Sequence, residues 1–198
     1  RYAAGGEAQG AAILRDLAAS PATARHVSTK LARHFAGDTP PPALVARLES
    51  TWLRTRGDLS ALYRVLVESP EVWNADAAKF KAPWDWLLSS LRALGRRDTR
   101  GMQPAQLMNQ LGQPVWRPGS PAGWDDLAAS WAGPDALVRR VEFAQRLAGS
   151  AGAVDARALA PQVLPGALSA ATAQAIARSE SPASGLALLL VSPEFLRR

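Results

Sequence analysis

The sequence predicts an all-α protein: an irregular bundle of many short helices with one long loop rich in proline, glycine and tryptophan, and essentially no sheet. Two observations lead to this fold class. The chain of 198 residues contains 15 prolines and 15 glycines, which separate short segments whose apolar residues recur at three- and four-residue spacing. No segment shows the alternation of apolar and polar residues, enriched in β-branched side chains, that is typical of strands.

The starts of the predicted helices are marked mainly by proline, because the N–H that proline lacks is not needed in the first helical turn. Two such starts are Ser20-Pro21 and Ser69-Pro70, in which the serine can also cap the helix. Gly37 marks the end of the second predicted helix. The predicted helices extend over approximately residues 5–19, 21–35, 41–54, 59–68, 83–94, 104–111, 134–148, 153–160, 168–178 and 182–191, with short turns after residues 70, 125 and 193.

Apolar side chains within these segments lie on one helical face. In the third helix Leu44 and Leu48 recur at four-residue spacing, which predicts a buried stripe. In the second helix the predicted apolar stripe consists of Val27, Leu31 and Phe35. Both faces are therefore expected to pack against neighbouring helices.

Seven tryptophans are a high number for a chain of this length. Four of them stand at helical or helix-start positions, which predicts that their large rings belong to the core. These are Trp52, Trp73, Trp84 and Trp86.

The other three tryptophans, Trp116, Trp124 and Trp131, belong to the long irregular segment 113–133. Loops of this length are often functional. The three rings either anchor the loop by burying their surface or form a stacking platform for a sugar ring or a proline-rich peptide. They are the stacking-loop candidates of this sequence.

Composition excludes several classes of protein. The formal net charge is +6, but almost all the positive charge is arginine scattered over many predicted helices, which predicts a solvated surface and no nucleic-acid binding. The chain has no cysteine, which excludes disulfides and thiolate metal sites. No apolar stretch approaches the length of about 18 residues that a membrane span requires.

The two histidines of the chain, His26 and His34, lie in the second predicted helix with Lys30 and Arg33. Eight residues of helix separate the histidines by about 12 Å, so they cannot share a metal ion with ligand bonds of about 2 Å, and no metal site is predicted. This flank of the helix is either a solvated basic surface or a site for a carboxylate, sulfate or phosphate group, completed by cations from elsewhere in the chain. The anion-binding candidates are His26, Lys30, Arg33, His34, Lys81 and Arg92.

Catalytic signatures are largely missing from the sequence. It contains no Ser-x-x-Lys, His-Glu-x-x-His, Walker or dinucleotide-binding string. With two histidines and no cysteine, a complete catalytic triad is not expected within this chain. No catalytic residue is assigned and no cofactor is predicted.

A series of short strings occurs in a defined order along the chain. The strings are Lys30-Leu31-Ala32-Arg33-His34-Phe35, Asp38-Thr39-Pro40-Pro41, Leu66-Val67-Glu68-Ser69-Pro70-Glu71-Val72-Trp73, Lys79-Phe80-Lys81-Ala82-Pro83, Arg92-Ala93-Leu94-Gly95, Leu111-Gly112-Gln113-Pro114 and Gly123-Trp124. In order and spacing this series, covering approximately residues 12–148, resembles the C-terminal half of a bacterial family of unknown function, DUF1800.

The resemblance implies a large bacterial protein that is usually exported, and hence a periplasmic or extracellular location. It implies a candidate partner in another exported protein of sulfatase-like type, and it implies no established reaction. It also implies that this chain is a fragment of a longer protein and lacks the N-terminal half of the family.

These observations predict a single all-helical domain over residues 1–198, with a candidate sub-boundary at 149–152. The predicted function is a non-catalytic helical module for interaction or scaffolding. Two alternatives stay open. One is part of an enzyme site that binds an anionic group through Lys30, Arg33 and His34, and the other is carbohydrate binding by the tryptophan-rich loop.

Overall fold

The computed structural model of the protein describes residues 2–3, 5–74, 79–99 and 101–198. Helices make up 64% of the structure and no described residue belongs to a sheet, which confirms the all-α fold class. The chain divides into two compact units, Arg1–Lys79 and Phe80–Arg198. The candidate sub-boundary at 149–152 lies inside the second unit, at the end of its longest helix.

The described residues of the first unit form four α-helices and a short 3₁₀ turn. They are α1 (Gly6–Ala19), α2 (Pro21–Ala36), α3 (Pro42–Thr55), α4 (Leu59–Glu68) and the 3₁₀ turn Pro70–Trp73. Asp58 caps α4, because its Oδ1 accepts hydrogen bonds from the main-chain N–H groups of Ser60 and Ala61 at 2.9 and 3.3 Å.

The face that α2 buries differs from the predicted stripe. Val27 and Leu31 are half-buried against the core of the unit, but Phe35 is largely exposed, so its prediction as a core residue was wrong. The fully buried positions instead have small side chains at four-residue spacing, namely Ala24, Ser28, Ala32 and Ala36. α2 packs most extensively on α3, whose buried Leu44 and Leu48 belong to the same core cluster as Ala24, Ala32 and Ala36.

In the second unit the structure describes seven α-helices. They are α5 (Pro83–Ala93), α6 (Pro104–Gln110), α7 (Ala128–Trp131), α8 (Pro134–Ser150), α9 (Ala156–Val163), α10 (Ala170–Ala177) and α11 (Pro182–Leu190). α11 lies at the centre, packed on α8, α9 and α10, and its Leu186, Leu189 and Leu190 are fully buried. Trp86 of α5 is also fully buried, and its Nε1 donates a hydrogen bond to the carbonyl oxygen of Leu190 at 2.8 Å.

The first and last residues of the second unit meet. Phe80 and Arg197 form an isolated antiparallel bridge, and the main-chain N–H of Lys81 donates to the carbonyl oxygen of Leu196 at 2.8 Å. Lys81 Nζ also donates to the carbonyl oxygen of Phe195, at 2.7 Å. The segment after α11 is therefore hydrogen-bonded to the segment before α5.

The tryptophans predicted to lie in the core divide into two pairs. Trp52 and Trp86 are buried, as predicted. Trp73 and Trp84 are 72% and 46% exposed, so their prediction was wrong. Trp73 ends the 3₁₀ turn and its Nε1 donates to the carbonyl oxygen of Val67 at 2.7 Å, which fixes the ring against the outside of α4. Spacing along a helix cannot predict that orientation, because Trp73 follows the helix end.

No helix among the described residues has both the length and the apolar character that crossing a membrane would require.

Candidate functional site

The predicted basic flank of α2 is only partly exposed to solvent. His26 and Lys30 are exposed, whereas Arg33 and His34 are half-buried. Arg33 Nε donates to the carbonyl oxygen of Asp38 at 3.3 Å, and the His34 ring meets the ring of Phe35 edge-on, with centroids 4.9 Å apart. Two of the four candidates thus contact residues of their own unit.

Asp38 also binds a second cation, Lys79, which sequence reasoning missed. Lys79 is only 4% exposed and its Nζ lies 2.6 Å from Asp38 Oδ1. The two residues are 41 positions apart, and no local pattern links them. Asp38 therefore accepts bonds from Arg33 and Lys79, beside the flank of α2 where the sequence predicted an anionic ligand.

The remaining anion-binding candidates, Lys81 and Arg92, belong to the second unit. Arg92 is exposed on α5. Lys81 is buried: its Nζ bonds to the carbonyl oxygen of Phe195 and lies 4.3 Å from the centroid of the Phe195 ring. Desolvation by this burial lowers the pKa of Lys81 to about 8. The side chain of Lys81 therefore makes its contacts inside the second unit, with Phe195.

Two of the three loop tryptophans anchor the segment between α6 and α8. Trp131 is buried, and its Nε1 donates to the carbonyl oxygen of Asp125 at 2.9 Å. The half-buried ring of Trp124 lies 6.0 Å from the Trp131 ring at an angle of 58°. Ser130 Oγ donates to Asp125 Oδ2 at 2.6 Å and closes this part of the loop. Both rings thus contribute to loop packing.

Trp116 differs from the other two, because it is 94% exposed. It is the third residue of a turn, residues 114–117, in which the N–H of Arg117 donates to the carbonyl oxygen of Pro114 at 3.3 Å. Its φ is +58°, a left-handed conformation that costs an L-residue about 1–2 kcal/mol and that turns of this kind usually assign to glycine or asparagine. A large apolar ring is therefore held in solvent at an energetic cost. We call residues 114–117 the Trp116 turn.

The residue before the Trp116 turn, Gln113, is hydrogen-bonded to both α6 and α5. The main-chain N–H of Gln113 donates to the carbonyl oxygen of Met108 at 2.8 Å, just past the end of α6. The side-chain Oε1 of Gln113 accepts from the main-chain N–H of Trp84 at 2.8 Å, at the start of α5. The turn is thus preorganised by the second unit, which limits the conformational entropy that a contact through Trp116 would lose.

No group of three or more His, Asp or Glu side chains within the described ranges is arranged to hold a metal ion.

A family model described as a protein of unknown function, DUF1800, matches residues 1–197. The match extends beyond the range 12–148 of the short strings and includes the helices from α9 to α11. Neither the curated proteins nor the solved structures contain a match to this chain. With nearly its whole length matched, the chain belongs to the DUF1800 family.

Proposed function

We propose that this chain is a helical interaction module that binds a partner protein through the Trp116 turn. The observation that carries the proposal is the exposure of Trp116 at a left-handed φ within a fixed turn. Because the ring is 94% exposed, its burial within the chain does little to offset this strain, whereas tryptophan is enriched among the residues that dominate protein interfaces. Val115, which is also exposed, extends the apolar surface of the turn.

The resemblance to exported DUF1800 proteins supports a periplasmic or extracellular location for this module. On the same ground, an exported protein of sulfatase-like type is the candidate partner. The alternative of an anionic ligand at Lys30, Arg33 and His34 receives less support, because Arg33 and His34 are half-buried and Asp38, an acid that would repel an anion, accepts bonds from Arg33 and Lys79 beside them.

Carbohydrate binding is the second candidate function, and the exposed ring of Trp116 is the observation in its favour. A sugar platform generally combines stacking on a ring face with several hydrogen bonds. Trp131 contributes no exposed face to such a platform, because it is buried. A protein partner, which needs one anchoring ring and its surroundings, therefore suits this turn better.

Site-specific photocrosslinking in the native bacterium tests the proposal. A photoreactive phenylalanine analogue replaces Trp116 in one strain and Trp73, the other highly exposed tryptophan, in a matched control strain. We expect a discrete protein adduct from position 116 that position 73 does not give. Adducts at position 116 with glycans only, or identical adducts from both positions, would overturn the proposal.

Affinity measurements with the crosslinked partner provide the second step. Trp116→Asn keeps the left-handed turn accessible and removes the ring. We expect it to weaken binding by about 30-fold or more, which corresponds to the loss of about 2 kcal/mol that defines an interface hot spot. Trp73→Phe serves as the control and should bind as the parent chain does.

A further inference from the structure

A groove with an apolar floor lies between α6 and α8 in the second unit. It consists of two adjoining cavities of about 370 and 410 Å³, which share Leu107, Phe143 and Arg146 in their linings. Leu107 is buried and Phe143 is half-buried, so both present apolar surface to the groove. Each cavity falls within the usual size range of ligand sites, about 300–1,000 Å³. We call this feature the α6/α8 groove.

Positive charge surrounds the floor. Arg139 and Arg146 of α8 line the groove, and Arg96 joins them from the segment that follows α5. Among the described residues that line the two cavities, Glu142 is the only one with a carboxylate. The groove therefore combines an apolar centre with a surplus of guanidinium groups at its edges.

The arginines retain bonding capacity for a ligand. Among the described residues Arg146 forms no ion pair, and its guanidinium lies 5.8 Å from the centroid of the Phe143 ring. Arg139 donates from Nη1 to the carbonyl oxygen of Gln110 at 2.9 Å and pairs through Nη2 with Asp135. A guanidinium has five N–H donors, so Arg139 keeps further donors available after these two contacts.

We propose that the α6/α8 groove binds an acidic peptide segment of the partner protein, with an apolar side chain over Leu107 and Phe143 and carboxylates at Arg139 and Arg146. The two arginines are seven residues apart on α8, about 10 Å along the helix axis. A peptide in the polyproline II conformation advances about 3.1 Å per residue and has three residues per turn, so acidic residues at positions i and i+3 lie on one face and match this spacing. The inference rests on the proposed interaction function and specifies the chemistry of the partner.

The groove and the Trp116 turn are close along the chain. Leu111 lines the groove, and the turn begins at Pro114. Gln113, between them, is bonded to both Met108 and Trp84. A partner segment that occupies the groove would therefore lie beside the surface from which Trp116 projects.

Fluorescence polarisation with a labelled peptide tests this inference. The probe is the peptide Gly-Glu-Phe-Ala-Glu-Gly, and the control peptide carries glutamine in place of both glutamates. We expect the acidic peptide to bind the 198-residue chain and the glutamine peptide to bind at least about tenfold more weakly, as the loss of charge-assisted hydrogen bonds predicts. Equal affinity for the two peptides would overturn the inference.

Variants of the chain assign the binding to the groove. Arg146→Gln should weaken binding by about tenfold, whereas Arg92→Gln, which removes an exposed arginine of α5 outside the groove, should leave it unchanged. Arg146→Glu should lose the acidic peptide and gain affinity for a peptide with lysine at the second glutamate position. An equal effect of Arg92→Gln would show binding to general surface charge and would contradict the inference.

The two proposals can fail separately. If the peptide does not bind but position 116 crosslinks to a protein, the interaction function stands and the groove inference is wrong. If millimolar inorganic phosphate displaces the peptide as effectively as unlabelled peptide does, the groove is a general anion site, which also contradicts the inference.

Discussion

Arg140 donates a hydrogen bond from Nη2 to the carbonyl oxygen of Lys81 at 2.8 Å, within the second unit. Arg140 is only 1% exposed, and its guanidinium lies 4.7 Å from the centroid of the Phe80 ring and 5.6 Å from that of Trp86. Its Nη1 has no hydrogen-bond partner among the described residues. Aromatic faces and one carbonyl group thus contact this buried charge directly, and the Asp85 carboxylate acts on it electrostatically.

Replacing Arg140 should destabilise the second unit to an extent that depends on the replacement. Arg140→Ala removes the hydrogen bond to Lys81 and leaves a cavity, so we expect it to lower the free energy of unfolding by about 3–5 kcal/mol. Arg140→Met fills most of the space and removes a desolvated charge, so its cost should be only about 1–2 kcal/mol. Urea unfolding followed by circular dichroism measures both. Arg92→Met, at an exposed site, is the control, and an equal loss for all three variants would contradict this account.

The stability of the second unit should rise with pH because of Lys81. Desolvation lowers its folded pKa from 10.5 to about 8, with Arg198 and Arg140 acting in the same direction and Asp85 opposing them. Between these values the unfolded chain binds the proton more strongly than the folded chain does. Raising the pH from 8 to 10.5 therefore increases the free energy of unfolding, and this increase is lost as the pH falls back through 8. The difference in unfolding free energy between the parent chain and Lys81→Met isolates this group. It should increase by about 3 kcal/mol across that range, and a flat difference would contradict the prediction.

Ser28→Ala should stabilise the first unit. Ser28 is fully buried in α2, and its Oγ finds no hydrogen-bond partner in the described part of the chain. Removing an unsatisfied buried hydroxyl recovers its desolvation cost, and we expect a gain of about 1 kcal/mol. Ser90→Ala is the matched control, because Ser90 is equally buried but its Oγ donates to the carbonyl oxygen of Trp86 at 2.9 Å. Thermal unfolding should show opposite signs for the two variants, and destabilisation by both would refute the explanation.

The ion pair between Asp38 and Lys79 should contribute measurably to the first unit, since Lys79 is almost inaccessible to solvent. Asp38→Asn removes the carboxylate that lies 2.6 Å from the buried ammonium group, and we expect a loss of about 3 kcal/mol. A double-mutant cycle with Lys79→Met should give a coupling energy of about 1–3 kcal/mol. Glu49→Gln, which breaks a pair with the exposed Arg25, should cost less than about 1 kcal/mol. A coupling energy near zero would contradict this prediction.

Trp116→Asn should leave the fold intact or stabilise it by up to about 1 kcal/mol, because asparagine tolerates the left-handed φ of the turn better than tryptophan does. Trp131→Ala should lower stability by about 3–5 kcal/mol, because that ring is buried. Differential scanning calorimetry compares the two variants. If Trp116→Asn costs as much as Trp131→Ala, the Trp116 ring supports the fold and is not held out for a partner.

Helix positions were predictable to within a few residues, because proline, glycine and capping side chains act locally. The predicted helix over 21–35 corresponds to α2 at Pro21–Ala36, and that over 182–191 to α11 at Pro182–Leu190. The prediction failed for Phe35, because the sequence does not reveal that α3 packs on the small side chains of α2.

Candidate site residues were harder to place, because their environments depend on distant parts of the chain. Lys81 was a candidate ligand by residue type, yet its partners are Phe195 and Arg140, 114 and 59 positions away. Trp116 was singled out from the sequence together with Trp124 and Trp131. Only the turn geometry, with its positive φ, separates the exposed ring from the two that anchor the loop.

The pairing of Phe80 with Arg197 has a consequence for protein engineering. A unit whose two ends are adjacent can be circularly permuted with a short peptide joining the old termini, or inserted into a surface loop of a host protein, without stretching its chain. Reopened at the glycine-containing bend after α8, residues 80–198 could thus be carried as a self-contained cassette.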